Sequence, residues 1–331
     1  KCHTSISAIS AMLSVHWSTI QKIQKHIMDK ALAAFEVCLK KSNYHPKYLA
    51  VDEFAIHKGH RYATCVMDLE TGFILWAGLG RSMADFEYFF KSIDLSLLSE
   101  LKAVAMDMNA SFNRLFQRYC PDVPIVYDRY HMQAQFGRDV MGAVRLAEAQ
   151  KHRQEAEALK KYTKETNNPE LQSMAKEKSR KERNQYTQLK KSRWILLKKD
   201  DHLNEKQKIH LLDILNKHRD LAICYAMKQE MTRLFTLTDY EEALAGWTKW
   251  IQAGLASGIP ALVKFARQKQ KRIKGLAAHA LYPINTGKLE GFNNKIKVLK
   301  RIGYGYRNMD YFFALIRFHS LPKNYSSPKF P

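Results

Sequence analysis

Two short apolar runs, each closed by an aspartate, constrain this chain more than any other feature. Tyr48-Leu-Ala-Val51 leads into Asp52, and Leu101-Lys-Ala-Val-Ala-Met106 leads into Asp107. Beyond Asp52, the run Ala63 to Met67 is followed by Asp68-Leu-Glu-Thr-Gly72 and then by Phe73 to Trp76. Apolar and β-branched runs separated by such turn residues read as an antiparallel three-stranded meander, with the first strand ending at Asp52. Before Leu101, the residues Ala84, Phe86, Phe89, Phe90, Ile93 and Leu97 fall at helical spacing over a crossover length. A strand, helix, strand unit sets the new strand parallel to an earlier one. Both aspartates then emerge at one sheet edge, where a cleft forms.

A third acid follows much later, in Asn285-Thr-Gly-Lys-Leu-Glu290-Gly-Phe-Asn-Asn-Lys-Ile-Lys-Val-Leu-Lys-Arg301. On a helix, Leu289, Phe292, Ile296 and Leu299 make an apolar stripe, and Glu290, Asn294, Lys297 and Arg301 a polar one. One acid followed by two bases suits a metal ligand with phosphate contacts beyond it. Carboxylates gathered at one edge repel unless a divalent cation neutralises them, and hard oxygen donors favour Mg2+, with Mn2+ as a substitute. Two such ions roughly 3.5–4 Å apart activate a nucleophile and stabilise the leaving oxygen of phosphoryl transfer. A strand-end aspartate alone is as readily a turn former or helix cap. The metal reading rests on the three acids together.

Five segments carry a family resemblance. Val-Asp52-Glu-Phe-Ala-Ile-His-Lys-Gly, Met106-Asp107-Met-Asn, Val126-Tyr-Asp128-Arg-Tyr-His131, Gly287-Lys-Leu-Glu290-Gly-Phe-Asn-Asn-Lys-Ile-Lys and Lys300-Arg-Ile-Gly-Tyr-Gly-Tyr-Arg-Asn308 occur in this order. Together they resemble the bacterial insertion-sequence transposases of the ISL type, in the DDE superfamily. The resemblance runs from about Ser5 to about His319. It implies an α/β, ribonuclease-H-like mixed sheet flanked by helices, with Asp52, Asp107 and Glu290 as catalytic acids and metal ligands. It further implies double-stranded DNA, both element ends and target, as partner, bound by a homodimer or higher oligomer. Asp128 and His131 form a D-x-x-H pair that the resemblance sets near the active site; a structural histidine at a helix start reads equally well.

The charge agrees with a polyanionic partner. The 331 residues carry 54 Lys and Arg against 32 Asp and Glu, a formal +22. Each phosphate neutralised by such a surface releases counterions. No apolar run approaches the roughly 18 residues needed to span a bilayer, and no secretory signal opens the chain. The five cysteines are odd in number and scattered, with no CxxC pair, which argues against a disulfide framework or a complete zinc site and points to a reducing bacterial cytoplasm. Because the first residue is Lys1, the chain is expected to begin inside a longer protein. The resemblance implies a zinc-binding module upstream, which is expected to be missing here unless Cys2 is its last remnant.

The sequence divides into five stretches. Residues 1–45 read as a truncated helix-turn-helix: Ser5 to Leu13, a short break, then a helix from Trp17 on which Ser18, Thr19, Gln21 and Lys22 face a major groove and Ile20 and Ile23 pack inward. A plain amphipathic helical pair is the alternative. Residues 46–142 form the first part of the catalytic domain, including a strand from Val123 to Tyr127. Residues 143–275 read as an all-helical insertion, with helices over Ala143 to Lys164, Leu171 to Lys191, Lys206 to Lys217, Leu221 to Phe235 and Glu241 to Gly254. Residues 276–321 complete the catalytic domain, and 322–331 form a frayed tail.

Within the insertion, Lys176 to Arg193 holds eight bases against two acids, and Lys264 to Lys274 six against none. A solvated face explains either run alone. Two such runs in a chain this basic place Lys176, Lys178, Arg180, Lys181, Arg183, Lys271 and Arg272 along DNA. Trp194, Trp247 and Trp250 read either as core or as platforms for exposed bases. After the third acid, Asn294, Lys297, Lys300, Arg301, Tyr304 and Arg307 are candidate phosphate contacts, helped by the close backbone approach that Gly303 and Gly305 allow. The expected activity is metal-dependent cleavage at element ends followed by strand transfer. A catalytically silent DNA-binding protein on the same fold is the alternative. Intact acids at all three positions argue against it.

Overall fold

The computed structural model describes residues 4–57 and 61–322. Cys2, the connection at 58–60 and the tail from 323 lie outside them. The chain forms two compact units, one of residues 1–128 with 282–331, the other of residues 129–281.

The first unit opens with α1 (Ile6–Leu13), a break at Ser14, and α2 (Trp17–Lys41). The break has a local cause: Ser14 adopts a left-handed conformation (φ 53°) and caps α1, while the His16 ring accepts from the Ser18 N–H. A helical pair is thus present, but α2 runs 25 residues. Ile23, expected to pack inward, is 52% exposed. The apolar face of α2 begins only at Met28 and continues through Ala31, Leu32 and Phe35, because those residues meet the last helix of the chain.

Next come β1 (Tyr48–His57), β2 (Arg61–Asp68), β3 (Ile74–Leu79), α3 (Met83–Ser92), β4 (Ala103–Met106), α4 (Ala110–Tyr119) and β5 (Ile125–Tyr127). They build one mixed sheet in the order β3-β2-β1-β4-β5. The first three strands are the antiparallel meander, and β4 and β5 add in parallel through helical crossovers. Asp68 is buried and accepts from the N–H groups of Glu70 and Thr71 and the hydroxyls of Thr71 and Tyr44, so its carboxylate organises the turn before β3. One expectation needs correction: β1 does not stop at Asp52. It continues to His57 against β2, with Asp52 opposite Cys65. What ends near Asp52 is the partner β4, whose ladder with β1 closes at Val51–Met106.

The second unit begins with α5 (Arg129–Phe136), which passes through a wide π-type turn at Gly137–Gly142 into α6 (Ala143–Glu165), followed by α7 (Pro169–Lys191). The α6–α7 hairpin is pinned by Ser179 Oγ donating to Ala156 O and by Arg145, whose Nη1 donates to the last carbonyls of α7, Leu189 O and Lys190 O. Then follow α8 (Arg193–Leu197), α9 (Glu205–Lys217), α10 (Arg219–Leu234), α11 (Tyr240–Ala256), α12 (Pro260–Gln270) and α13 (Ile273–Ala277). Trp247 and Trp250 are buried in this unit, and Trp250 Nε1 donates to Met227 O. They are core, not base platforms, whereas Trp194 is 72% exposed. Lys269, inside the second basic run, is also buried, donating to Gln135 Oε1.

The chain returns to the first unit for α14 (Gly287–Ile302) and α15 (Met309–Ser320). The sheet is therefore covered on both faces. Leu49, Val51, Val66, Trp76, Val104 and Met106 pack on α3 and α4. Ala50, Phe54, Ile56, Cys65 and Ile74 pack on Leu289 and Ile296 of α14 and on Phe312 and Ile316 of α15. Strand alternation assigns the side chains: positions 50, 52, 54 and 56 face α14, and 49, 51 and 53 face α4. A ribonuclease-H-like sheet interrupted by a helical insertion results. No described helix is long and apolar enough to cross a membrane.

The first face is centred on Phe86, fully buried among the rings of Trp76, Phe89, Phe90, Phe112 and Phe116. Phe86→Ala is expected to destabilise the first unit by about 3–5 kcal/mol, since the surrounding rings cannot all collapse into the space. Denaturant unfolding at matched m-value measures the loss; a change below about 1 kcal/mol would show that the cluster repacks.

Candidate active site

The parallel ladder puts Val51, Met106 and Tyr127 in one row across β1, β4 and β5. The next residue on each strand is an aspartate: Asp52, Asp107 and Asp128. The Asp128 N–H donates to Met106 O, extending the row by one step. Carboxylate oxygens of Asp52 and Asp107 come within 4.8 Å of each other. So do oxygens of Asp128 and Glu290.

Glu290 reaches this edge from α14. The helix starts at Thr286, which is wholly buried. Its N–H and hydroxyl both meet Asp128 Oδ2, at 3.0 and 2.8 Å, and the hydroxyl lies 3.2 Å from Glu290 Oε1. One hydroxyl proton serves one acceptor at a time, so the shorter contact, to Asp128, is the stronger. One turn beyond Glu290, Asn293 Nδ2 donates to Asp52 Oδ2 at 2.7 Å, while Asp52 Oδ1 accepts from the Glu53 N–H. Thus α14 is tied to β1 and to the end of β5. The three acids do not form one tight cluster: Asp52, Asp107 and Glu290 are not all within 4.8 Å of one another. The edge consists of two carboxylate pairs linked through α14.

Glu53, on the opposite face of β1, was not singled out from sequence. Its Oε1 accepts from Asn109 Nδ2 at 2.9 Å, and Asn109 Oδ1 caps α4 through the Ser111 and Phe112 N–H groups. Burial pushes the Glu53 carboxyl above its ordinary range, and Asp107 adds to this; Asn109 and the Arg81 guanidinium pull the other way. Thr286 and Asn293 were missed as well. A signal for Asn293 existed: it follows Leu289 by four and precedes Ile296 by three, so it falls on the apolar stripe, where a buried amide requires a partner. His131 sits in the first turn of α5, in the second unit.

The candidate DNA contacts separate clearly. On α14, Asn294, Lys297 and Arg301 are exposed along one stripe. Lys300 is not available in the same way: half-buried, it donates to Ala55 O of β1, and burial pulls its pKa down. The helix ends with the Gly305 N–H on Lys300 O and the Tyr304 N–H on Arg301 O. Tyr304 therefore occupies the left-handed position where glycine is usual (φ 49°), at a cost of roughly 1–2 kcal/mol, and its side chain is 96% exposed. A Cβ on Gly303 would lie 2.5 Å from the Tyr306 ring. At the other end of the chain, Thr19 and Lys22 are exposed, while Ser18 and Gln21 are partly buried.

In the second unit the basic run divides between two faces. Lys178 and Lys181 pair with Glu155 and Glu177 at 2.9 and 3.0 Å. Lys176, Arg180 and Arg183 instead join Lys160 and Lys164 around a groove of about 350 Å3 between α6 and α7. Among the described residues none of these five cations is in an ion pair, although Arg180 lies close enough to Glu177 to help lower its pKa. Lys271 is exposed and Arg272 half-buried at the end of α12.

Three known proteins bear on this arrangement. A family model described as Transposase, of the ISL3-type DDE group, matches residues 49–316. The transposase for insertion sequence element IS1001 of Bordetella parapertussis is 32% identical over 315 residues, covering 95% of this chain and 69% of that protein. The transposases for IS1557 of two Mycobacterium tuberculosis strains, CDC 1551 / Oshkosh and ATCC 25618 / H37Rv, are each 23% identical over 318 residues, covering 94% of this chain and 67% of theirs.

Thr286→Val keeps the shape of the side chain and removes the donor to buried Asp128. It is expected to lower stability by about 1–3 kcal/mol, with Thr286→Ser restoring most of it. Chemical denaturation of the three proteins tests this; equal stability of wild type and the valine variant would mean that the hydroxyl contact contributes nothing.

Proposed function

The chain belongs to the ISL3-type family of DDE transposases, and on that premise we propose that it cuts DNA at the ends of a mobile element and joins the freed end to target DNA. Asp52, Asp107 and Glu290 are its acids in this reading. The observation that carries it is the Val51–Met106–Tyr127 row, which delivers aspartates to one edge, with Asn293 bringing the Glu290 helix to Asp52.

The donors fit a hard divalent cation: carboxylate oxygens from separate strands within 4.8 Å, in a chain whose surface is otherwise strongly basic. Asp52 and Asp107 would hold Mg2+, or Mn2+ in its place, and Glu290 with Asp128 would complete the set for a second ion. When bound, such ions supply charge neutralisation and nucleophile activation for phosphoryl transfer. The protein's own residues do the positioning. Asn293 and the Glu53 N–H fix the Asp52 carboxylate, and Thr286 holds the start of α14 so that Glu290 projects at the same edge. Lys297 and Arg301, two and three turns beyond Glu290, receive phosphates of the bound strand. Water is the first nucleophile and the released 3′-hydroxyl the second. The α6–α7 groove holds a further stretch of DNA backbone. Because an element has two ends, a homodimer or larger assembly on DNA belongs to the same reading.

Asp52→Asn, Asp107→Asn and Glu290→Gln are each expected to reduce cleavage of element ends at least a hundredfold in Mg2+ while duplex affinity stays within about twofold. The measurement is cutting of a plasmid that carries both ends, alongside a binding titration. Near wild-type cutting by any one variant removes that residue from the set.

The groove is tested by salt. Lys176→Gln, Arg180→Gln and Arg183→Gln together should flatten the slope of log affinity against log salt by about 2–3, since each phosphate contact contributes about 0.9. Lys178→Gln with Lys181→Gln should leave the slope nearly unchanged. An unaltered slope in the triple variant would return the groove to a merely solvated face.

A further inference from the structure

A cavity of about 360 Å3 opens in the first unit where the start of α2 meets the loop after α14. Trp17, Gln21 and Gln24 line it from α2, and Tyr304, Tyr306 and Arg307 from the loop. The volume falls within the roughly 300–1,000 Å3 of small-molecule sites. Among its described lining residues none is acidic.

The chemistry of the wall is specific. Aromatic faces suit a flat ring, amides suit a ring edge with mixed donors and acceptors, and a guanidinium suits a phosphate attached to that ring. Gln24 Oε1 accepts from the Tyr311 hydroxyl, which leaves the amide NH2 as the donor it can offer. The Gln21 side chain makes no hydrogen bond among the described residues. Tyr306 is anchored by stacking on Phe312, with ring centroids 4.6 Å apart. Tyr304 is different: its ring stands in water on a backbone conformation that favours glycine. No packing within the fold accounts for that ring, and strained residues of this kind accompany ligand sites.

The cavity also lies at the end of a track. Ile302, the last residue of α14, follows Glu290 by twelve residues, about 18 Å at 1.5 Å per residue, and Tyr304 stands two residues further on. Asn294, Lys297 and Arg301 are exposed between them. A strand held at Glu290 and followed along this stripe reaches Tyr304 and crosses the loop to the cavity, whose α14 walls, Leu299 and Ile302, lie on another face of the helix. We infer that the cavity receives one unstacked base of the bound DNA strand, sandwiched by Trp17 and Tyr304 and read on its edge by Gln21 and Gln24. Gln21 then contacts a base outside the helix, not one inside a major groove. This inference rests on the DNA-processing function proposed above.

The test uses the full chain and two probes: a fully paired duplex, and the same duplex with one extra unpaired 2-aminopurine. Wild type is expected to bind the second roughly tenfold more tightly and to quench its emission by stacking. Trp17→Ala and Tyr304→Ala should each abolish the quenching and the preference, so that each variant binds the two probes equally. Because the Tyr304 ring is exposed, its loss leaves the fold intact. Equal affinity of wild type for both probes, or a preference that survives in both variants, would overturn the inference and leave the function standing. Failure of wild type to bind either probe would instead overturn the function.

Discussion

The site depends on where one parallel ladder stops. β4 ends at Met106 while its neighbour β1 runs on to His57, so beyond the Val51–Met106 pair the sheet has a notch, not a straight edge. Parallel register makes the consequence regular: residues that follow a matched row emerge side by side. Asp52, Asp107 and Asp128 are those residues. Had β4 been longer, the Asp107 backbone would be engaged in the ladder and its side chain assigned to one face by strand alternation. The short strand leaves the chain free to turn at Asp107-Met-Asn109, where Asn109 caps α4 and reaches back to Glu53.

Alternation then sorts the neighbours of the first acid. Asp52 faces α14 and Glu53 faces α4, so one strand addresses two helices with adjacent carboxylates that differ in environment. Asp52 is held by Asn293, 241 residues away in sequence. Glu53 is held by Asn109, 56 residues away. Both partners are amides, which orient a carboxylate without cancelling its charge.

Much of this was legible in the sequence, for identifiable reasons. The strands and the five long helices of the second unit show their periodicity plainly, and the Asp68–Gly72 turn carries its own chemistry. What escaped depended on distant partners. Asp68 is followed by turn residues and ends a strand, but nothing in the run before Asp52 showed that the strand continues past it. Ile23 looked like a core residue because it is apolar, yet the packing face of α2 starts a turn later. Lys269 and Lys178 counted equally in a charge run, although one is buried and the other ion-paired. Asn293 was readable only as a polar residue in an apolar stripe. The proposed catalytic roles themselves rest on residue type together with family resemblance, because no helix or strand pattern specifies chemistry.

The contact between Asp128 and Thr286 joins the two points where the chain leaves and re-enters the first unit, 158 residues apart. In polymer terms the whole second unit is a loop closed by this contact together with the packing of α14 and α15 on the sheet. Closing a flexible loop of that length costs about 4–5 kcal/mol, more than the contact itself returns. A compact second unit shortens the effective span and removes most of that cost. Condensation of the intervening helices therefore favours the delivery of Glu290 to the carboxylate edge. A chain emerging from the ribosome carries its first two acids long before it can complete the third, which keeps the set apart until the protein is whole.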